Sequence, residues 1–160
     1  MRRVYFRRRI EGVTDYKARK NLLISGKPRL VVRRTNRYII SQIVKSEAAQ
    51  DFVVVGVNSK ELSEKGWKGS FKNIPAAYLS GLLLGKKAQK TGINEAILDI
   101  GLQRSTKGSR IYAVLKGAID SGLIISYSKE ILPSEGRILG KHINEKISAD
   151  VEKIKKKIIG

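Results

Sequence analysis

No cysteine occurs among the 160 residues, and there is one histidine, His142. The first absence excludes disulfides and thiolate sites. The second excludes a histidine-based metal cluster. Acids are scarce, with 14 Asp and Glu against 33 Lys and Arg. Long apolar runs are missing too. The richest, Leu79 to Leu84, is interrupted by Gly81 and ends at Gly85-Lys86-Lys87, well short of the ~18–20 residues that span a bilayer. The chain does not open on the apolar stretch of a secretory signal. These absences predict a soluble intracellular protein with no membrane partner.

What the chain has in excess is positive charge. Its formal net charge is +19. Self-repulsion of that size opposes a compact state, so a partner of opposite sign is the natural explanation. Nucleic acid, an anionic membrane and an acidic protein all qualify. The charge is concentrated at the start. From Met1 to Arg37 thirteen basic residues face only Glu11 and Asp15, a net of +11. So lopsided a beginning reads as a basic arm. The remainder, at 41% apolar overall, is enough for one ordinary domain with a real core.

Local signals outline a mixed α/β domain. Thr14-Asp15 supplies a helix N-cap and Gly26 a stop, with a short basic helix between them. Leu30 to Arg34 and Tyr38 to Val44 flank Thr35-Asn36 and predict a β-hairpin with a tight turn. Asp51 to Val57 reads as a third strand. Its consecutive Val53, Val54 and Val55 suggest burial on both faces. Pro75 marks a helix start, running to about Thr91 with Gly92 beyond. Glu95 to Gly101 predicts a strand, and Ser109 caps a helix from Arg110 to Ser121. Leu123 to Ser126 is a further short extended piece. Ser134 onward reads as helical, weak at Gly140, with a basic end from Lys153 to Lys157 that frays. No internal repeat or linker interrupts this. The chain divides into a basic arm with a short helix (1–28), an α/β core (29–132) and a C-terminal helical segment (133–160).

Catalytic signatures are poor. A phosphate-binding Walker loop needs G-x-x-x-x-G-K-[ST]. Around Gly81 to Lys86 the second glycine falls one residue early, and Lys87 stands where Ser or Thr is required. Gly81 and Gly85 instead suit close packing of a helix on a sheet. A metal nuclease needs converging carboxylates, yet Leu30 to Val44 contains no acid. Asp99 is expected to cap an amide or pair with a base, and His142 to be a solvated surface residue. No catalytic residue, metal site or cofactor is expected.

The loop Arg104-Ser105-Thr106-Lys107-Gly108-Ser109-Arg110 joins a strand to a helix start, where free N–H groups and the helix dipole attract anions. By itself it also fits an ordinary solvated loop. Arg7-Arg8-Arg9 by itself fits a solubilising or targeting run. Tyr38 beside Arg37, and Trp67 beside Lys68, offer faces for base stacking or for core packing alike. A basic arm, a basic hairpin and a basic helix start in one small chain point together to a polyanion. No helix shows the tidy basic face of a duplex-DNA reader, and no amphipathic register suits a membrane. An irregular folded RNA fits best. A basic processing enzyme with a nuclease-like core and a DNA-compacting protein are the rival classes.

Several blocks then carry a family likeness: "RRRIEGVTDYKARKNLLISGKPRLVVR" with "KPRLVVRRTNRYIISQIV", "GWKGSFKNIPAAYLSGLLLGKKA", "AILDIGLQRSTKGSRIYAVLKGAIDSGL" and "ILPSEGRILGKHI". In order and spacing, from about Arg7 to His142, they resemble the archaeal-type branch of the universal large-subunit ribosomal proteins that bind 5S rRNA. These are called L-eighteen in bacteria and archaea and L-five in eukaryotes. The resemblance implies a single domain with a mixed β-sheet and helices packed against it, a basic N-terminal arm and a C-terminal helix. It implies a structural, non-enzymatic role in attaching 5S rRNA to large-subunit rRNA at the central protuberance. The partners would be both RNAs and neighbouring ribosomal proteins, including the other 5S rRNA-binding protein. By position it points to RNA contacts from Arg7, Arg8, Arg9, Lys17, Arg19, Lys20, Arg33, Arg34, Asn36, Arg37 and Tyr38. It points equally to Trp67 and Lys68, and to Arg104, Lys107, Ser109 and Arg110.

Overall fold

Residues 29 to 58 are rich in β-branched side chains, and in the computed structural model the described ones form most of a sheet. The structure describes residues 5–47 and 50–159; Arg2 and Arg3 of the basic arm lie outside them. The strands are β1 (Arg29–Arg34), β2 (Ile39–Glu47), β3 (Gln50–Asn58) and β4 (Ile97–Asp99), in the order β3-β2-β1-β4. β1 with β2 and β2 with β3 are antiparallel, and β4 lies parallel to β1. The helices are α1 (Arg7–Ile10), α2 (Tyr16–Leu23), α3 (Ile74–Lys90), α4 (Arg110–Asp120), α5 (Glu135–Ile138) and α6 (Glu145–Ile159).

One face of the sheet, carrying Leu30, Val32, Ile39, Ile43, Val55 and Val57, is buried against the layer of α3 and α4. The period of two turns Arg29, Val31, Arg33, Gln42 and Val44 to the opposite face, and a bulge in β3 brings Val53, the partner of Val44, there with them. α3 is buried almost all round, as a helix at the centre of the domain must be. Asn73 accepts from the Ala76 amide at its start, Pro75 sits in its first turn, and Gly92 follows its end at φ 75°. Asp15 caps α2 by accepting from the Lys17 and Ala18 amides. The C-terminal helical stretch breaks at Gly140, φ 76°.

Several expectations are corrected. β3 is an edge strand, not one buried on both faces: Val53 is 54% exposed and Val54 39%. Between Ile43 and Val44 the pairing skips from Val55 to Val53, so Val54 is the extra residue of a bulge. The hairpin is closed by Thr35 and Tyr38, whose backbones pair at 2.9 Å, so Asn36-Arg37 forms the tip. β4 is confined to three residues. Glu95 instead bridges Ile124, which is all the sheet pairing that the 123–126 piece makes. Gly81 and Gly85 face α4, not the sheet. A Cβ on Gly81 would lie 2.0 Å from the Val114 carbonyl oxygen, and one on Gly85 1.7 Å from Ser121 Oγ. The basic end is helical to Ile159, with Val151, Ile154 and Ile158 buried on one stripe of α6 that packs on α3.

Candidate nucleic-acid interface

The face of the sheet turned away from α3 and α4 is held by a chain of charges. Arg29 leaves β1 with its side chain only 3% exposed. Its Nη1 donates to Asp99 Oδ2 at 2.7 Å, and its Nη2 to Asp51 Oδ1 at 2.7 Å and Ser46 Oγ at 3.0 Å. From α2, Arg19 Nη2 donates to the other Asp51 oxygen at 2.9 Å. Arg33 adds Nη2 to Asp99 Oδ1 at 3.0 Å and Nη1 to the carbonyls of Val32 and Asp99. Asp99 also accepts from the Gly101 amide at 2.9 Å. The acid expected to cap an amide or pair with a base thus does both. Burial would raise the Asp99 carboxyl, but Arg33, the Gly101 amide and Arg29 outweigh it and hold it below the usual carboxylate range. Asp51 is likewise held low, with Ser46, Arg29 and Arg19 outweighing its desolvation.

These side chains floor a groove of about 960 Å³ between the sheet and the segment running from Arg8 through α2. Arg8, Arg19, Arg33 and Arg34 line it above Val31, Val44, Val53 and Leu98. The groove meets the hairpin tip at Arg34. Beyond it, Tyr38 packs its ring against Phe71 with centroids 6.0 Å apart. Arg110 Nη1 reaches the Lys72 carbonyl at 3.2 Å. Burial and the nearby charge of Arg34 both lower the pKa of Arg110. Among the described residues no carboxylate pairs with either arginine. Two crowded guanidinium groups at the positive end of α4 make a site of strong positive potential.

The remaining candidates are more scattered. Lys17 and Lys20 are exposed on α2. Arg7 pairs with Glu11 at 3.3 Å, Arg8 donates to Thr14 Oγ1 at 2.9 Å, and Arg9 lies over the Tyr5 ring at 4.9 Å. Lys107 reaches Glu130 at 3.3 Å. Asn36, Arg37, Lys68 and Arg104 are exposed. Two positions differ from their expected form. Trp67 is 3% exposed and its ring lies over Gly69, where a Cβ would come within 2.7 Å of it; its faces belong to the core. Ser109 stands at the cap position of α4 but makes no side-chain capping bond, because its Oγ is turned inward and buried without a partner among the described residues.

Sequence reasoning missed Arg29 and Asp51. By sequence Arg29 is one more basic residue near the arm, and Asp51 a strand end. The one available signal was an arginine immediately before a β-branched run, at a position the period of two places beside Val31 and Arg33. Among the described residues no group of three His, Cys, Asp or Glu could hold a metal ion. Asp51 and Asp99 are bound to the Arg29 guanidinium instead of converging on a metal ion.

The family profile described as "Ribosomal large subunit proteins 60S L5, and 50S L18" matches residues 2–95 and 86–128. The chain is 53% identical over 154 residues to the "Large ribosomal subunit protein uL18" of Methanoregula boonei, covering 94% of this chain and 88% of that one. It is 53% identical to the protein of the same name from Caldivirga maquilingensis, covering 88% of this chain and 69% of the relative. With that of Korarchaeum cryptofilum the identity is 56%, covering 88% and 72%. With a profile match over most of its length and relatives this similar, the chain belongs to the family of ribosomal large-subunit proteins 60S L5 and 50S L18, as an archaeal-type member.

Proposed function

We propose that this chain, a structural and non-enzymatic constituent of the large ribosomal subunit, binds 5S rRNA and helps attach it to large-subunit rRNA at the central protuberance. The observation that carries this reading is the continuous basic surface from Arg8 and Arg19 through Arg33 and Arg34 to Arg110. Of these, Arg34 and Arg110 have no carboxylate partner among the described residues, and such crowded arginines are stabilised when phosphates approach, since each phosphate brings the missing counter-charge. The hairpin tip adds Asn36 and Arg37 as exposed hydrogen-bonding groups that can read an RNA's shape. The scattered cations, Arg7, Arg9, Lys17, Lys20, Lys68, Arg104 and Lys107, contribute further phosphate contacts. Neighbouring large-subunit proteins complete the assembly.

The test is a titration of the full chain against 5S rRNA and a random-sequence RNA of equal length at ~0.15 M salt. A preference for 5S rRNA of more than about tenfold is expected, since each good directed contact discriminates by about 1–3 kcal/mol. Replacing Asn36 and Arg37 together by Ala should remove most of that preference, whereas replacing Arg34 and Arg110 should weaken binding to both RNAs. Equal affinity of the unaltered chain for both RNAs overturns the 5S reading.

A further inference from the structure

The open face of the sheet is shaped for more than phosphates. We propose that its groove receives one unstacked nucleotide of ribosomal RNA, with the base laid on the guanidinium plane of Arg33. This rests on the RNA-binding reading above and adds which part of the RNA enters.

Arg33 is an unusually fixed cation. Its Nη1 and Nη2 are tied to the Val32 carbonyl, the Asp99 carbonyl and the Asp99 carboxylate, at 2.8 to 3.0 Å. Gly101 closes one side. A Cβ built there would stand 2.9 Å from Cζ, 3.0 Å from Nη2 and 3.3 Å from Nε. Three such similar distances are those of a point above the plane, not at its rim, so Gly101 covers one face of the guanidinium. The side chain nonetheless remains 41% exposed, and it lines the groove. A planar cation, held at its edge and backed on one face, is a stacking platform. Unstacked RNA bases are received on arginine planes as they are on aromatic rings.

The rest of the groove suits a nucleotide. Its volume of about 960 Å³ lies within the ~300–1,000 Å³ of sites that enclose small ligands. Val31, Val44, Val53 and Leu98 give it an aliphatic floor, which favours a flat base over a phosphate. Arg8 and Arg34 also line the groove and supply positive charge for the flanking phosphates of an inserted base. Of the acids that line the groove among the described residues, Asp51 and Asp99 are already held by Arg29, Arg19 and Arg33. Cationic rim and apolar floor together match a base with its backbone. Asp15 at the groove is engaged by the Lys17 and Ala18 amides.

The experiment uses the full chain, with transcribed 5S rRNA and a large-subunit rRNA transcript as probes. Arg33→Lys keeps the charge and removes the plane. It should weaken binding about tenfold, in line with the loss of one stacked base, without changing the salt dependence. Val53→Glu and Phe52→Glu place one acid on the same exposed strand, on opposite faces. Only Val53 lines the groove, so Val53→Glu should weaken binding several times more than Phe52→Glu. Zero-length ultraviolet crosslinking of the unaltered complex should attach a nucleotide to a peptide spanning 29–34 or 50–58, and Arg33→Lys should lose it. Thermal melting of each variant separates misfolding from lost contact. Binding by Arg33→Lys equal to that of the unaltered chain overturns the proposal. So do equal effects of the two glutamates. Crosslinks from these strands to a protein segment in reconstituted subunits, with no nucleotide attached, would mean that a peptide fills the groove, and would overturn it too. If the unaltered chain binds only the large-subunit transcript and shows this pattern, the 5S reading fails and the groove stands. If it binds 5S rRNA and Arg33→Lys is silent, the groove alone fails.

Discussion

Arg29 is a charge that a strand has drawn out of water, and its cost is met by placing two carboxylates and a hydroxyl around it. Such a pair is weak evidence for net stability, but removing one partner strands the other, at about 3–5 kcal/mol. Asp99→Asn should therefore lower stability at neutral pH by an amount of that order. The pH dependence has a definite sign. The Asp51 and Asp99 carboxyls are held below their ordinary values in the folded chain. Their contribution is fully present above the unfolded value of about 3.9 and is lost as pH falls through the folded values. Stability should thus decline below about pH 4, and decline less steeply in Asp99→Asn. Urea melts from pH 3 to 7 measure both slopes; parallel slopes would remove Asp99 from the network.

The pairing of α3 with α4 depends on glycines. Cβ atoms on Gly81 and Gly117 would fall 2.0 Å from the Val114 carbonyl oxygen and 2.1 Å from that of Tyr78. Backbone cannot yield as a flexible side chain does, so Gly81→Ala and Gly117→Ala should each cost near the top of the ~1–3 kcal/mol typical of overpacking. Gly136→Ala in α5 meets nothing within 4 Å and serves as the neutral comparison. Equal melting temperatures for all three would show that the helices can separate freely. A small residue suits close approach to a sheet and to a helix equally, which is why the partner of this helix was not legible along the chain. The edge position of β3 was hidden for a similar reason. Three valines in a row fit a doubly buried strand and also a bulged edge strand, and only the pairing partners distinguish them.

Across the molecule, the charge of +19 is divided between a fixed surface and a segment with little to hold it. α1 and α2 contain no buried residue, while Arg33, Arg34 and Arg110 stand on the sheet and helix framework. Replacing Arg7, Arg8 and Arg9 together by Ala should weaken binding to 5S and random RNA alike. It should also flatten the log–log salt dependence by up to about 3, near 0.9 per lost phosphate contact. Replacing Asn36 should leave that slope nearly unchanged and narrow the preference for 5S rRNA. A titration of both RNAs at several salt concentrations checks this; an unchanged slope in the triple variant would place the arm away from RNA.

Interactions between near neighbours were readable in advance. The Asp15 cap, Pro75 at the start of α3, Gly92 after its end and the break at Gly140 each depend on a few adjacent residues. Net charge is additive, so the polyanionic partner was readable as well, and long ordered blocks carried the family. The burial of Trp67, the exposed edge at Val53 and Val54 and the inward turn of Ser109 were not. Nor was the groove, whose floor joins Arg29 to an aspartate 70 positions away. These depend on which distant segments meet. Burial and pairing are properties of the folded neighbourhood, and one strand's alternation does not say whether its outer face meets a helix, a nucleotide or water.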